Sequence, residues 1–253
     1  MKHALTRKGL LERYVRATWI LKVRLISARR QLWADQASLI HLESALLQMR
    51  KVCEGIAQMC VIASEVKTET HDPGLRKDYK VGAVFKLLSK RKSLYFPGHA
   101  RLTKRDGTEN PAVWDLSTTA ATQDDIDRVS KINSRCGTAL HEFHPLTDWP
   151  SSSDDTRQHL AINLNAVRGD HQWLWNRFWE HAITLRSSLF FVSLDDCTQA
   201  SRPFVVKDNG LVEGDLAIEF DAEYLADFSG ALVWSDPPTP SVRNYGCSGQ
   251  ARA

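Results

Sequence analysis

The chain has 253 residues, of which 43% are hydrophobic and 25% are charged, values that are typical of a globular protein and exclude an intrinsically disordered one. Its five cysteines are scattered and form no C-x-x-C pair, which argues against a zinc ribbon or a dithiol redox motif and favours a reducing compartment. No apolar run approaches the roughly 20 residues of a membrane span, and no targeting segment is recognisable, so we expect a cytoplasmic protein.

The net charge of +3 conceals a segregation of charge along the chain. The first 30 residues contain nine lysines and arginines and one acid, so they carry +8 and the remaining 223 residues carry −5. A basic helix on a slightly acidic body suits a partner that carries phosphates, and the alternative is a solvated, arginine-rich face. The residues that we predict to contact nucleic acid are Arg13, Arg16, Arg24, Arg50 and Lys51.

Two long helices are predicted at the start of the chain. Apolar residues recur at steps of three and four over 8–30 and again over 37–67. The second segment carries an unbroken heptad pattern, which is typical of bundle packing or of a dimer contact. Its apolar positions are Leu39, Leu42, Leu46, Met49, Cys53, Ile56, Cys60 and Ala63.

Three further helices are predicted downstream. One lies near 76–92, and another opens at 122–125, where a threonine followed three residues later by an aspartate forms a capping box. The last runs from about 155 to 186, with Gly169 as a potential break. Its second half contains an aromatic cluster, which we assign to the core and a protein interface in preference to base stacking: Trp173, Trp175, Phe178 and Trp179.

The remaining segments contain turn signals and short β-prone runs. The polar segment 97–119 includes Asp-Gly and Asn-Pro pairs and predicts a long loop or a hairpin. The runs 189–192, 204–206 and 216–220 are separated by turn residues and predict two to four antiparallel strands packed on the helices.

These elements predict a mainly α (α+β) fold, a helical bundle with a small antiparallel β region near the C-terminus. We expect the bundle over 1–186, with a long loop near 97–120, and the β region over 187–235. Residues 236–253 are rich in proline and glycine and predict a disordered tail.

One arginine and one histidine in the predicted fourth helix have the chemistry to act on a phosphate. Arg135 and His141 are separated by five residues, about one and a half turns of helix. A histidine can take a proton from a ribose 2′-hydroxyl or give one to the leaving oxygen, and a guanidinium stabilises negative charge on the phosphate. The alternative for His141 is a packed or hydrogen-bonded side chain without a catalytic role.

The arrangement of Arg135 and His141 resembles that of the HEPN superfamily, whose ribonuclease members carry an arginine followed four to six residues later by a histidine. The stretches 46–57 and 136–141 also resemble a group of bacterial proteins with a helical N-terminal region, and the similarity covers roughly residues 10–145. The resemblance implies a helical bundle that is often dimeric. It also implies metal-independent RNA cleavage, with His141 as acid or base and Arg135 holding the phosphate, in a bacterial defence or toxin-type setting.

Glu54 is the third candidate for a catalytic role. If the polar side of the second helix lies against 136–141, its carboxylate would raise the pKa of His141. The alternative is an ion pair with Arg50, one turn away on a solvated face. The spacing of the histidines matches no standard zinc pattern, so we predict no metal and no cofactor.

The leading functional prediction is therefore an HEPN-like protein that binds or cleaves RNA, as a homodimer or with a protein partner. The alternative is a non-catalytic subunit of a protein assembly, held through its heptad pattern and its tryptophan-rich helix.

Overall fold

The computed structural model shows a mainly helical protein with a smaller antiparallel sheet, as the sequence predicts. The residues that it describes are 7–35, 38–68, 75, 80–104, 114–142, 153–185, 188–193, 202–206 and 212–215. The helices in this part of the chain are α1 (Arg7–Leu32), α2 (Leu39–Thr68), α3 (Val81–Lys90), α4 (Gln123–Glu142) and α5 (Ser153–Phe178). The strands are β1 (Gly98–Lys104), β2 (Trp114–Thr119), β3 (Glu180–Leu185), β4 (Ser188–Ser193), β5 (Arg202–Val206) and β6 (Val212–Asp215).

Helix α2 lies at the centre of the core. The predicted heptad positions from Leu42 to Ala63 are almost fully buried within the single chain. Helices α1, α3, α4 and α5 and strand β3 all pack against α2. The heptad pattern therefore reflects packing within the bundle. Its apolar side chains are buried and are not exposed for a heptad contact between two copies. The homodimer itself stays a prediction.

Helix α1 packs along α2 through the apolar stripe that the sequence predicts. Val15, Leu21 and Leu25 are buried, and Thr18 is buried with its hydroxyl donating to the carbonyl of Val15 at 2.7 Å. Most of the basic side chains between these positions lie on the sides and outer surface of the helix, although Lys22 is buried. Burial of the stripe thus decides where the cations of α1 lie.

The N-terminus of α4 forms the predicted capping box. The backbone N–H of Thr122 donates to Oδ2 of Asp125 at 2.9 Å, and the N–H of Asp125 donates back to Oγ1 of Thr122 at 3.3 Å. Arg177 at the end of α5 donates to the same carboxylate oxygen at 3.1 Å. Burial acts to raise the pKa of Asp125, but hydrogen bonds from Arg177 and Thr122 outweigh it and lower that pKa overall. The cap therefore also ties α4 to α5.

The sheet begins earlier in the chain than the sequence predicts. Segment 97–119, for which a loop or a hairpin was expected, contains the antiparallel hairpin β1–β2, with His99 opposite Thr119. The described strands form one antiparallel sheet in the order β2-β1-β3-β4-β5-β6. The predicted boundary at 186 falls between the paired strands β3 and β4.

The prediction of one helix over 155–186 is wrong at its C-terminal end. Helix α5 stops at Phe178 and the chain continues as β3, because residues 180–185 pair with β4 and two of them, His181 and Ala182, also pair with β1. Such tertiary pairing overrides local helix propensity. Gly169 does not interrupt α5. The predicted strand at 216–220 and the predicted tail at 236–253 lie outside the described residues.

Replacing the capping threonine tests this arrangement. We expect Thr122→Ala to lower the free energy of unfolding by about 1 kcal/mol, since the N–H of Asp125 loses its acceptor. Chemical denaturation followed by circular dichroism measures the change. Thr138→Ala, at an exposed position inside α4, is the matched control and should be neutral or slightly stabilising. Equal stability of the Thr122 variant and the wild type would contradict the capping role.

Candidate nucleic-acid interface

The cations of α1 divide into two groups. Lys22 is buried with its Nζ 6.0 Å from the ring centre of Trp179, and the guanidinium of Arg29 lies 5.0 Å from the ring centre of Trp175. Arg24 donates to Oε1 of Gln48 at 2.8 Å. These side chains take part in packing, so only a fraction of the local charge is free to bind a partner.

Arg13 and Arg16 form the second group. Both side chains are exposed, and neither makes an ion pair or hydrogen bond to another residue in the part of the chain that the structure describes. They lie three positions apart on α1, which places their Cβ atoms about 5–6 Å from each other on one face. A guanidinium binds phosphate and carboxylate through parallel N–H donors, so this pair is equipped to hold an anion.

A groove of about 350 Å³ opens beside these two arginines, between α1, α2 and α3. We call it the Gly55 groove, because Gly55 of α2 forms part of its wall. Arg13, Arg16, Glu54 and Gln58 supply its polar groups. The apolar residues that line it include Ala17, Ile20, Ala57, Val61, Ile62 and Val84.

Glu54 is compensated by its own helix. Its carboxylate accepts from Nε of Arg50 at 3.2 Å and from Nζ of Lys51 at 2.7 Å. The structure therefore contains the predicted alternative, an ion pair between Glu54 and Arg50, and adds a second ion pair with Lys51. These ion pairs also mean that Arg50 and Lys51, both predicted to contact nucleic acid, are engaged with a neighbouring carboxylate.

The polar side of α2 does lie near α4. Nη1 of Arg50 is 4.0 Å from the position that a Cβ on Gly137 would occupy. The predicted approach of this face to 136–141 is therefore seen at Arg50. The side chain of His141 lies outside the described residues, so its expected contact with Glu54 stays a prediction.

Arg135 is held by a partner that the sequence did not suggest. Its guanidinium forms an ion pair with Asp170 of α5, a carboxylate that is 11% exposed. Burial raises the pKa of Asp170, and the charge of Arg135 opposes that shift. Burial and the same carboxylate raise the pKa of the nearby Cys136 thiol to about 12, which leaves it unreactive at neutral pH. A phosphate at Arg135 would have to compete with Asp170.

Two buried histidines were not singled out by the sequence. A ring N–H of His171 donates to the carbonyl of Leu25 at 2.9 Å, and a ring N–H of His181 donates to the carbonyl of Phe178 at 2.9 Å. The other ring nitrogen of each is buried and has no hydrogen-bond partner among the residues that the structure describes. Burial lowers the pKa of both rings to about 4, so both are neutral at physiological pH.

The aromatic cluster of α5 packs as predicted for a core. Phe178 is fully buried, and Trp173, Trp175 and Trp179 pack against the core from its edge. Trp175 and Trp179 stack on each other with ring centres 3.8 Å apart. With Arg29 and Lys22 lying over these two rings, the stack is already covered on the side of α1.

Within the described residues, no group of three or more histidine, cysteine, aspartate or glutamate side chains is placed to hold a metal ion. In the same part of the chain, no helix has the length and apolar character needed to cross a membrane. Comparison with known proteins finds no family model, no curated protein and no solved structure that matches this chain. The HEPN resemblance is therefore an inference from the residues alone.

The buried histidines predict a loss of stability in mild acid. Their folded pKa values of about 4 lie below the value of about 6.5 for an unfolded chain, so unfolding takes up protons below pH 6.5. The stability that they contribute is complete above pH 6.5 and is lost as the pH falls towards 4. Between pH 6 and 5, we expect the free energy of unfolding to drop by about 1.2 kcal/mol per pH unit for each ring.

Denaturation curves measured at a series of pH values test this expectation. Gln can replace the ring N–H donor of His171 but does not titrate, so His171→Gln should reduce the proton uptake on unfolding by about one. His41→Gln, at a half-buried position on α2, serves as the control. An unchanged pH dependence in the His171 variant would show that this ring titrates in the folded state as it does in the unfolded chain.

Proposed function

We propose that this chain binds RNA through the outer face of α1, with Arg13 and Arg16 holding phosphates. The observation that supports the proposal is the pair of exposed guanidiniums without an ionic partner among the described residues. Arg24 lies two turns beyond Arg16 and adds a third, half-buried cation. Contacts to phosphate give affinity without sequence readout, which fits a face built of cations alone.

A more specific form of the proposal is that the chain also cleaves the RNA that it binds. It assigns proton transfer to His141 and phosphate binding to Arg135, as the HEPN resemblance implies. The ion pair with Asp170 places a cost on this step, because the incoming phosphate would compete with that carboxylate for the guanidinium of Arg135. A role in bacterial defence or toxin-type systems, a cytoplasmic location and a homodimer belong to the same proposal.

A second candidate function, a subunit of a protein assembly, is favoured by two exposed apolar side chains. Ile40 is 76% exposed and Leu47 is 45% exposed, and they lie seven residues apart on α2. Residues at this spacing share a helix face, and apolar residues there are typical of a protein contact. This candidate predicts no affinity for RNA, so the binding experiment separates the two.

RNA binding should depend steeply on salt and on the two free arginines. We expect the double variant Arg13→Ala/Arg16→Ala to bind labelled RNA at least tenfold more weakly at 50 mM salt, with a salt slope lower by about two. Fluorescence anisotropy from 50 to 300 mM salt measures both quantities. Lys86→Ala/Lys90→Ala removes the same charge from exposed positions of α3 and should change the affinity by less than threefold. Equal affinities for wild type and both variants would exclude the proposed face.

The cleavage step has its own test. Wild-type protein incubated with labelled RNA in the presence of a chelator should cut the RNA, and His141→Ala should lose at least a hundredfold in rate. Thr138→Ala on the same helix is the control. Intact RNA after incubation with the wild type, or equal cleavage by the His141 variant, would remove the catalytic proposal and leave RNA binding to be judged by the salt experiment.

A further inference from the structure

The Gly55 groove has the size and the lining of a small-molecule site. Its volume of about 350 Å³ falls at the lower end of the range for ligand pockets, roughly 300–1,000 Å³. Its walls are mainly aliphatic, with Ile20 from α1, Val61 and Ile62 from α2, and Val84 from α3. Burying an alkyl chain against such walls is favourable by roughly 25 cal/mol for each Å² of apolar surface removed from water.

Packing does not require a glycine at position 55, which lies beside open space. A Cβ at this position would meet no atom within 4 Å outside its own stretch of helix, so no neighbouring side chain requires glycine here. Glycine in the middle of a helix costs about 1 kcal/mol relative to alanine. What the missing side chain provides here is room in the groove.

The charges at the groove select the kind of ligand. Arg13 and Arg16 supply two cations without an ionic partner in the described residues, whereas the single carboxylate of the lining, Glu54, is already compensated by Arg50 and Lys51. The rim is therefore positive and the walls are apolar. A ligand that matches both features has an anionic head and an alkyl chain.

We propose that the Gly55 groove binds a small anionic amphiphile, a carboxylate with an alkyl chain of about ten carbons. The carboxylate lies between Arg13 and Arg16, and the chain lies along Ile20, Val61 and Val84. This inference does not rest on the RNA proposal, although both ligands would use Arg13 and Arg16. Calorimetry with the ligand and anisotropy with RNA report on them separately.

Isothermal titration calorimetry with decanoate, below its micellar range, tests the site. We expect sub-millimolar binding to the full chain, and at least tenfold weaker binding for decanol, which lacks the charge, and for acetate, which lacks the chain. Arg13→Ala/Arg16→Ala should lower the affinity for decanoate at least tenfold, whereas Lys86→Ala/Lys90→Ala should leave it within a factor of two.

Two glycine variants test where the alkyl chain of the ligand lies. Gly55→Phe fills the groove while both arginines are retained, and it should abolish decanoate binding. Gly169→Phe introduces the same side chain at an exposed helical glycine of α5 with equally open surroundings, and should bind decanoate like the wild type. Circular dichroism confirms that both variants fold.

Three results would overturn the proposal. The first is tighter binding of decyltrimethylammonium than of decanoate, which would show that the site prefers a cation. The second is decanoate binding that survives both Gly55→Phe and the double arginine replacement. The third is binding of adenosine monophosphate that Gly55→Phe blocks, without any binding of decanoate, which would assign the groove to a nucleotide.

Discussion

Helix α2 is enclosed by α1, α3, α4, α5 and β3, and this enclosure determines where the other elements lie. Half of its thirty residues are buried, among them Leu46, Met49 and Ile56. Full burial of each such side chain contributes roughly 1.5–3 kcal/mol, so the packing around α2 outweighs any surface interaction in the molecule. The orientation of α1, and with it the placement of its arginines, follows from this packing.

The functional proposals rest on how the same packing distributes charge. Lys22 and Arg29 of α1 lie against Trp179 and Trp175, and Glu54 of α2 is paired within its own helix. Arg13 and Arg16, which have no ionic partner among the described residues, lie next to an apolar groove. An anion bound there, whether a phosphate of RNA or a carboxylate, meets two donors that no described acid competes for.

The sequence predicts what depends on local pattern and misses what depends on distant partners. The heptad spacing of α2 and the capping box at Thr122 are local signals, and the structure contains both. Asp170 lies 35 positions from Arg135, so no spacing rule could pair them. Strand β3 was predicted as helix because its strand conformation depends on pairing with β1 and β4, which the local sequence pattern does not show. The Gly55 groove had one sequence signal, a glycine inside a strong helix pattern.

Native-state hydrogen exchange of the amides from Leu46 to Cys60 tests the central role of α2 most directly. If α2 is the enclosed core helix, these amides exchange only through global unfolding. Their exchange free energies then equal the free energy of unfolding from denaturation, with the same denaturant dependence. Exchange of these amides through local opening, well below the global value and insensitive to denaturant, would contradict the account.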